Sequence, residues 1–239
     1  MSNNTNYKLS IIIPCYNEKE TIKEIIDRIN QINLGPIQNE IIIIDDYSTD
    51  GTKDILKNLK RQKNQTILYN SKNYGKGYCI RYALSHCTGN IIIIQDADLE
   101  YDPRDYPALI HPIITGQATV VYGSRERNKK NKTHSGVLFY LGGILVTKLT
   151  NILFNSNLTD QPTCYKVFKT DILKALSLHE NRFGFCSEVT VQLLKKKIRI
   201  HEVPISYYPR KKHEGKKIGI KDACRAIYIL FKYRLFNLQ

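Results

Sequence analysis

Residues 41–46 read Ile-Ile-Ile-Ile-Asp-Asp, and residues 91–98 read Ile-Ile-Ile-Ile-Gln-Asp-Ala-Asp. Each is an uninterrupted β-branched run ending in acids, the pattern of a strand covered on both faces. The first of these strands spans 40–44, and outward from the pair 9–13, 66–69 and 118–122 read as further short strands. Helical periodicity fills the gaps at 18–32, 50–61, 75–86 and 103–114. In the first of these, Ile22, Ile25, Ile26 and Ile29 share one stripe. Thr49 or Asp50 is the expected N-cap of the second helix, and Asp102 followed by Pro103 opens the fourth. Alternating strands and helices predict an α/β fold. Its sheet is mainly parallel, Rossmann-like and flanked by helices, with right-handed crossovers.

Past about residue 123 the rhythm changes. Residues 126–135 form a polar, basic loop, and 136–154 are apolar but interrupted by Gly, Thr and Lys. A strand (165–168), two helices (171–178 and 187–196) and a strand (199–205) follow. A basic loop at 210–217 and an amphipathic basic helix at 219–236 close the chain. No repeat or linker breaks residues 1–239, so one domain is expected.

The 239 residues are 42% hydrophobic and 24% charged, which excludes collagen-like, low-complexity and wholly disordered chains. Charge is uneven. Residues 1–120 carry 13 basic and 14 acidic side chains; residues 121–239 carry 23 and 8. The cationic half is expected to face phosphates, nucleic acid or an anionic membrane. Nucleic acid is the least suited of these, because no recognition motif is present and an acidic sheet rim repels a polyanion.

The six cysteines lack zinc-ligand spacing and read as reduced thiols of a cytoplasmic protein. The opening MSNNTNYKLS has no cationic start or apolar core, and no run of about 18 apolar residues follows. A soluble or membrane-peripheral chain is expected. Two segments suit an interface: 136–154, and the last helix. The latter mixes Ile227, Ile229, Leu230, Phe231, Leu235 and Phe236 with Lys221, Arg225, Lys232 and Arg234.

In open α/β sheets ligands bind beyond the carboxyl ends of strands. Three predicted strands end there in polar clusters: Pro14-Cys15-Tyr16-Asn17-Glu18, Asp45-Asp46-Tyr47-Ser48, and Gln95-Asp96-Ala97-Asp98-Leu99-Glu100. Acids converging on one rim need a cation or hydrogen-bond donors to compensate them. Asp96 and Asp98, two apart in a turn, suit a hard cation such as Mg²⁺ or Mn²⁺. Gly75-Lys76-Gly77 lacks the rest of a phosphate loop and reads as the entry to the third helix. Lys195–Lys197 reads as a solvated helix end, and the six histidines carry no role.

Ile-Pro-Cys-Tyr-Asn-Glu, Asp-Asp-Tyr-Ser-Thr-Asp-Gly-Thr, Asp-Ala-Asp-Leu-Glu and Gly-Ser-Arg, in this order and spacing, resemble the family 2 glycosyltransferases. Within them the chain is most similar to the polyprenyl-phosphate branch typified by dolichyl-phosphate mannose synthases. The resemblance runs from Leu9 to about Ile218. It implies a GT-A fold, which with the interfacial C-terminal helices read above gives a nucleotide-sugar-binding half at about 9–123 and an acceptor- and membrane-facing half at about 124–239. It further implies a UDP- or GDP-sugar donor, Mg²⁺ or Mn²⁺, a polyprenyl phosphate acceptor and an inverting transfer at the cytoplasmic membrane surface.

Carried over by position, the resemblance puts Pro14, Tyr16 and Glu18 in the first donor motif and Ile44 and Asp46 at the base and ribose. Asp96, Ala97 and Asp98 fall at the diphosphate and metal, with Glu100 as a further metal ligand. Arg125 falls near the phosphates, and Arg210 with Lys217 over the donor diphosphate. The 210–217 loop is one residue longer than the family form, which leaves Lys216 and Lys217 as alternatives. Asp160-Gln-Pro-Thr-Cys-Tyr-Lys166 departs from the D-x-x-S-G-F-R of the mannose synthases.

Asp98, Arg125, Arg210 and Glu188 are the candidate catalytic residues. A lipid phosphate is largely dianionic at pH 7 and needs cationic placement, for which Arg125, Arg127 and the run 128–132 are candidates. A hydroxyl acceptor is the alternative. It needs a carboxylate base, either Glu188 or Asp160. The sequence sets no oligomeric state.

Overall fold

Both isoleucine runs lie inside one sheet in the computed structural model, which describes residues 7–59, 62–131, 136–210, 217 and 219–236. Every side chain of 41–44 and 91–94 is at most 1% exposed, as two covered faces require. The strands are β1 (Lys8–Cys15), β2 (Gln38–Asp45), β3 (Gln65–Tyr69), β4 (Ile91–Ile94), β5 (Val120–Ser124), β6 (Lys166–Lys169) and β7 (Ile200–Pro204). Their order is β3-β2-β1-β4-β6-β5-β7, with β6 antiparallel to β4 and β5 and the other neighbours parallel. From β1 the chain winds outward through β2 and β3, then returns to place β4 on the other side. The carboxyl ends of β1, β2 and β4 therefore flank the switch point where such sheets bind ligands.

Helices α1 (Ile22–Asn30), α2 (Thr52–Asn58), α3 (Lys76–Leu84) and α4 (Tyr106–Ile114) fall within the predicted stretches. Asp102 caps the turn leading into α4 by accepting from the Arg104 N–H at 3.0 Å. The expected cap of α2 is corrected: Gly51, at φ +101°, is the N-cap, and Asp50 accepts from the Thr52 N–H at 2.9 Å. Strand β5 starts two residues later than predicted because the Ala118 N–H closes onto Pro112 O, and pairing with β7 carries it to Ser124. Helix α6 (Thr170–Lys174) stops short of residue 178. Ser177 instead exchanges hydrogen bonds with the Gln192 carboxamide on α7 (Phe185–Lys195).

The start of α3 is pressed against 180–182. A Cβ on Gly77 would lie 2.1 Å from the Glu180 carbonyl oxygen, and one on Gly75 would lie 2.5 Å from that of Asn181. Gly77→Ala therefore forces backbone apart, and a loss of about 1–3 kcal/mol is expected in denaturant unfolding. Unchanged stability would show that the segment yields freely.

Helices α5 (Val137–Phe154) and α8 (Ile220–Leu235) pack on each other and on α7 through a small core of Val146, Val191, Ile229, Leu230 and Tyr233. Their other faces leave apolar side chains in water, among them Leu141, Leu145 and Ile152 on α5 and Tyr228, Phe231 and Leu235 on α8. Among the described residues no helix is long and apolar enough to cross a membrane.

Candidate active site

A cleft of about 820 Å³ opens along the carboxyl edge of the sheet. The β1 end contributes Pro14, Tyr16 and Glu18, the β2 end Asp46, and the β4 end Asp96, Ala97, Asp98 and Glu100. Arg125, following β5, and Arg210 with Lys217, beyond β7, face them across the same space. Side chains up to about 200 positions apart in sequence thus share one charged centre. Lys216 and residues 211–215 lie outside the described residues, as does Lys132 of the predicted phosphate loop.

Acid and base alternate through this centre. Glu18, only 6% exposed, receives Arg210 at 2.8 Å and Lys217 at 2.6 Å. Lys217 also donates to Tyr16 O. Glu18 thus seats the two cations expected over the diphosphate. Arg210 further reaches Asp98 at 3.3 Å, and its backbone N–H donates to Glu100 Oε1 at 2.7 Å. Burial, together with the charges of Asp96 and Glu100, pushes the Asp98 carboxyl up to about 7, only partly offset by Arg210. Burial opposes the Arg210 charge, but Glu18 and Asp98 outweigh it and hold its pKa above the usual value.

Asp46 accepts from Asn70 Nδ2 at 2.7 Å, the Tyr74 N–H at 2.9 Å and the Gly75 N–H at 2.7 Å, which locks the loop into α3. Arg125 is held by Asp160 through Nε at 2.7 Å and Nη2 at 2.6 Å, and lies 5.0 Å over the Tyr207 ring. Tyr207 in turn donates to Glu100 Oε2 at 3.2 Å.

Three expectations are corrected. Glu188 is outside the cleft: it is 2% exposed on α7, and its carboxylate accepts from the His179 and Glu180 N–H groups and from Tyr233 OH. Those bonds leave it a structural anchor for 179–180 and α8 rather than a base. Ile44 is fully buried within β2, paired between Pro14 and Leu68, and does not line the cleft; Asp46 does, because it lies just past the carboxyl end of the strand. Arg127 turns away to Glu202 at 3.4 Å and leaves Arg125, among the described residues, as the cation facing the cleft from that loop. Asp160 does line the cleft, but both of its oxygens are committed to Arg125.

Lys76, read from sequence as a helix entry, is the cleft residue that reading missed. It enters the cleft and pairs with Asp96 Oδ1 at 2.5 Å. The available signal was a lysine between two glycines, where the backbone can approach a neighbour closely enough to deliver a side chain inward.

Asp98 and Glu100 supply hard oxygen donors within one turn, and the crowding around Asp98 is of the kind a cation relieves, so these residues fit Mg²⁺ or Mn²⁺. Among the described residues no three acidic, histidine or cysteine side chains are grouped to hold a metal ion. The pair therefore needs further ligands, such as water or diphosphate oxygens.

The fold is GT-A-like, with acids at the sheet switch point and cations arriving from later in the chain. The glycosyl transferase family 2 model matches residues 10–177, and the chain belongs to that family; it is a glycosyltransferase. It is 30% identical over 213 residues to the UDP-N-acetylglucosamine–dolichyl-phosphate N-acetylglucosaminyltransferase of Methanococcus voltae, covering 82% of this chain and 83% of that one. It is 26% identical to the dolichol-phosphate mannosyltransferase of Pyrococcus furiosus, across 95% of this chain and 64% of that one.

A low-salt glycan biosynthesis hexosyltransferase of Haloferax volcanii is 28% identical over 84% of the chain, which spans only 48% of its length. Among solved structures, glucosyl-3-phosphoglycerate synthase from Mycobacterium tuberculosis with UDP superposes with a TM-score of 0.72 at 18% identity. That match covers 95% of this chain and 80% of the other, and it establishes the shared fold.

Proposed function

We propose that this chain transfers a sugar, with inversion, from a UDP- or GDP-sugar to a polyprenyl phosphate at the cytoplasmic face of a membrane. The observation that carries the reading is the composition of the cleft. Its charged centre at Asp98, Arg125 and Arg210 runs without interruption into an apolar wall of α5 and α8 that includes Leu141, Leu145 and Ile220. A ligand with a phosphate head and a hydrocarbon tail matches both ends at once. The relatives from Methanococcus and Pyrococcus, named for dolichyl-phosphate transfer, support the same acceptor class.

In this reading a phosphate oxygen of the acceptor forms a bond to the anomeric carbon as the bond to the nucleoside diphosphate breaks. The acceptor phosphate is largely dianionic and needs no base, consistent with Glu188 and Asp160 both being engaged elsewhere. Arg125, oriented by Asp160 and backed by Tyr207, holds that phosphate. Arg210 and Lys217 leave Glu18 for the donor diphosphate and take up the leaving charge. Asp98 and Glu100 would hold Mg²⁺ or Mn²⁺, which would supply Lewis-acid stabilisation of the leaving diphosphate.

The test is a matrix assay: UDP- and GDP-sugars against a polyprenyl phosphate, with Mg²⁺ or Mn²⁺ and a chelator control. Metal-dependent sugar in the organic phase is expected. Donor turnover without glycolipid anywhere in the panel would sink the acceptor assignment.

The exposed apolar faces of α5 and α8, with their lysines and arginines, are read as the membrane contact. The protein is expected to cosediment with anionic vesicles at low salt and be released at high salt. Ile152→Asp with Leu235→Asp should weaken that binding markedly, since these side chains are 76% and 75% exposed. Equal binding by the double variant would place the contact elsewhere.

A further inference from the structure

We propose that Lys76 is a positioning residue that keeps Asp96 out of the metal's ligand set and sets how tightly the cleft takes a divalent cation. This rests on the reading of the cleft as a metal-assisted donor site. The two glycines around Lys76 let the first turn of α3 lie flush on 180–182, where the Tyr78 N–H donates to Asn181 O at 3.0 Å. That seat delivers the lysine into the cleft. The ammonium lies 2.5 Å from Asp96 Oδ1 and 3.5 Å from Cys164 Sγ, and its side chain is only 12% exposed. Desolvation works against the charge of Lys76, but Asp96 more than offsets it and raises its pKa above the ordinary value. The ion pair itself places the lysine's positive charge beside Asp96.

A fixed positive charge at Asp96 acts on an incoming cation in two ways. It occupies one carboxylate of the three that the acidic turn offers, which leaves Asp98 and Glu100. It also repels the ion directly, in a partly dry site where charges are screened less than in water. A nucleoside diphosphate brings negative charge that offsets this repulsion. The cation then enters together with the diphosphate rather than ahead of it, so an empty site does not fill with metal and wait.

The experiment is a Mn²⁺ titration of the full chain, followed by loss of the free-ion electron paramagnetic resonance signal. It is run alone and with UDP or GDP, on the wild type, Lys76→Met, Lys76→Gln and the double variant Lys76→Met with Asp96→Asn. The wild type should bind Mn²⁺ weakly alone and more tightly with nucleotide. Both single variants should bind Mn²⁺ alone about tenfold more tightly, because a nearby positive charge is gone.

The double variant, neutral at both positions, should return to within about threefold of the wild type, since the pair's net charge is restored. A merely structural lysine would move affinity down or not at all. Unchanged or weaker binding in both single variants overturns the inference, as does a large loss in the double variant, which would make Asp96 a ligand. If the wild type takes up no Mn²⁺ with either nucleotide, the metal-assisted reading of the cleft falls first, and this inference with it.

Discussion

Asp98→Asn is expected to cut turnover by about 10²–10³-fold, the scale on which a preorganised charge facing the leaving group contributes. The amide keeps the shape of the carboxylate but cannot serve as an anionic ligand, and it gives up the 3.3 Å ion pair with Arg210. Stability should move the other way. Asp98 is crowded by Asp96 and Glu100 in a partly dry cleft, so a neutral side chain there relieves repulsion in metal-free protein. Melting in the presence of a chelator should therefore occur at an unchanged or higher temperature than for the wild type. A site that gives up stability for function has this signature. Activity within a few-fold of the wild type, or a clear drop in melting temperature, would remove Asp98 from the centre of the reaction.

The second large effect concerns the fold as much as the reaction. Asp160 is 3% exposed and binds the Arg125 backbone N–H, Nε and Nη2. Asp160→Ala strands a guanidinium that is itself largely withdrawn from water, and breaking such a pair from one side costs about 3–5 kcal/mol. Because the Arg125 side chain is 22% exposed, the lower end applies. For a chain of this length that corresponds to a fall in melting temperature of about 6–12 °C. The paired change Asp160→Leu with Arg125→Met should recover most of the lost stability while abolishing transfer to a phosphate acceptor. If the double variant is as unstable as the single one, Asp160 has another structural duty beyond holding Arg125. The Thr159 and Asp160 N–H bonds to Glu202 would then be the place to look.

The polyisoleucine strands were legible because burial on both faces leaves no polar alternation, and that pattern does not depend on what the strand packs against. The acids after β1, β2 and β4 were legible for a related reason: in a parallel sheet every carboxyl end points to the same edge, so local position already implies convergence. What failed were residues whose meaning depends on orientation. Glu188 is an acid of the right type for a base, yet one face of α7 turns it toward 179–180 and Tyr233. Ile44 and Asp46 are two apart, but β2 ends between them, so one is held inside the sheet and the other stands at the rim. Lys76 had only its flanking glycines to mark it.

The sequence by itself determined the layered α/β architecture, the acidic rim and the contrast between a balanced first half and a cationic second half. Each is a property of periodicity or composition that survives any detail of packing. Tertiary structure alone decided which charges meet. Glu18 with Arg210 and Lys217, Arg125 with Asp160, and Lys76 with Asp96 are separated by 20 to 199 positions. Ion pairing at a few ångströms depends on how loops and helix starts are seated on the sheet, and no local pattern in the chain encodes that distance.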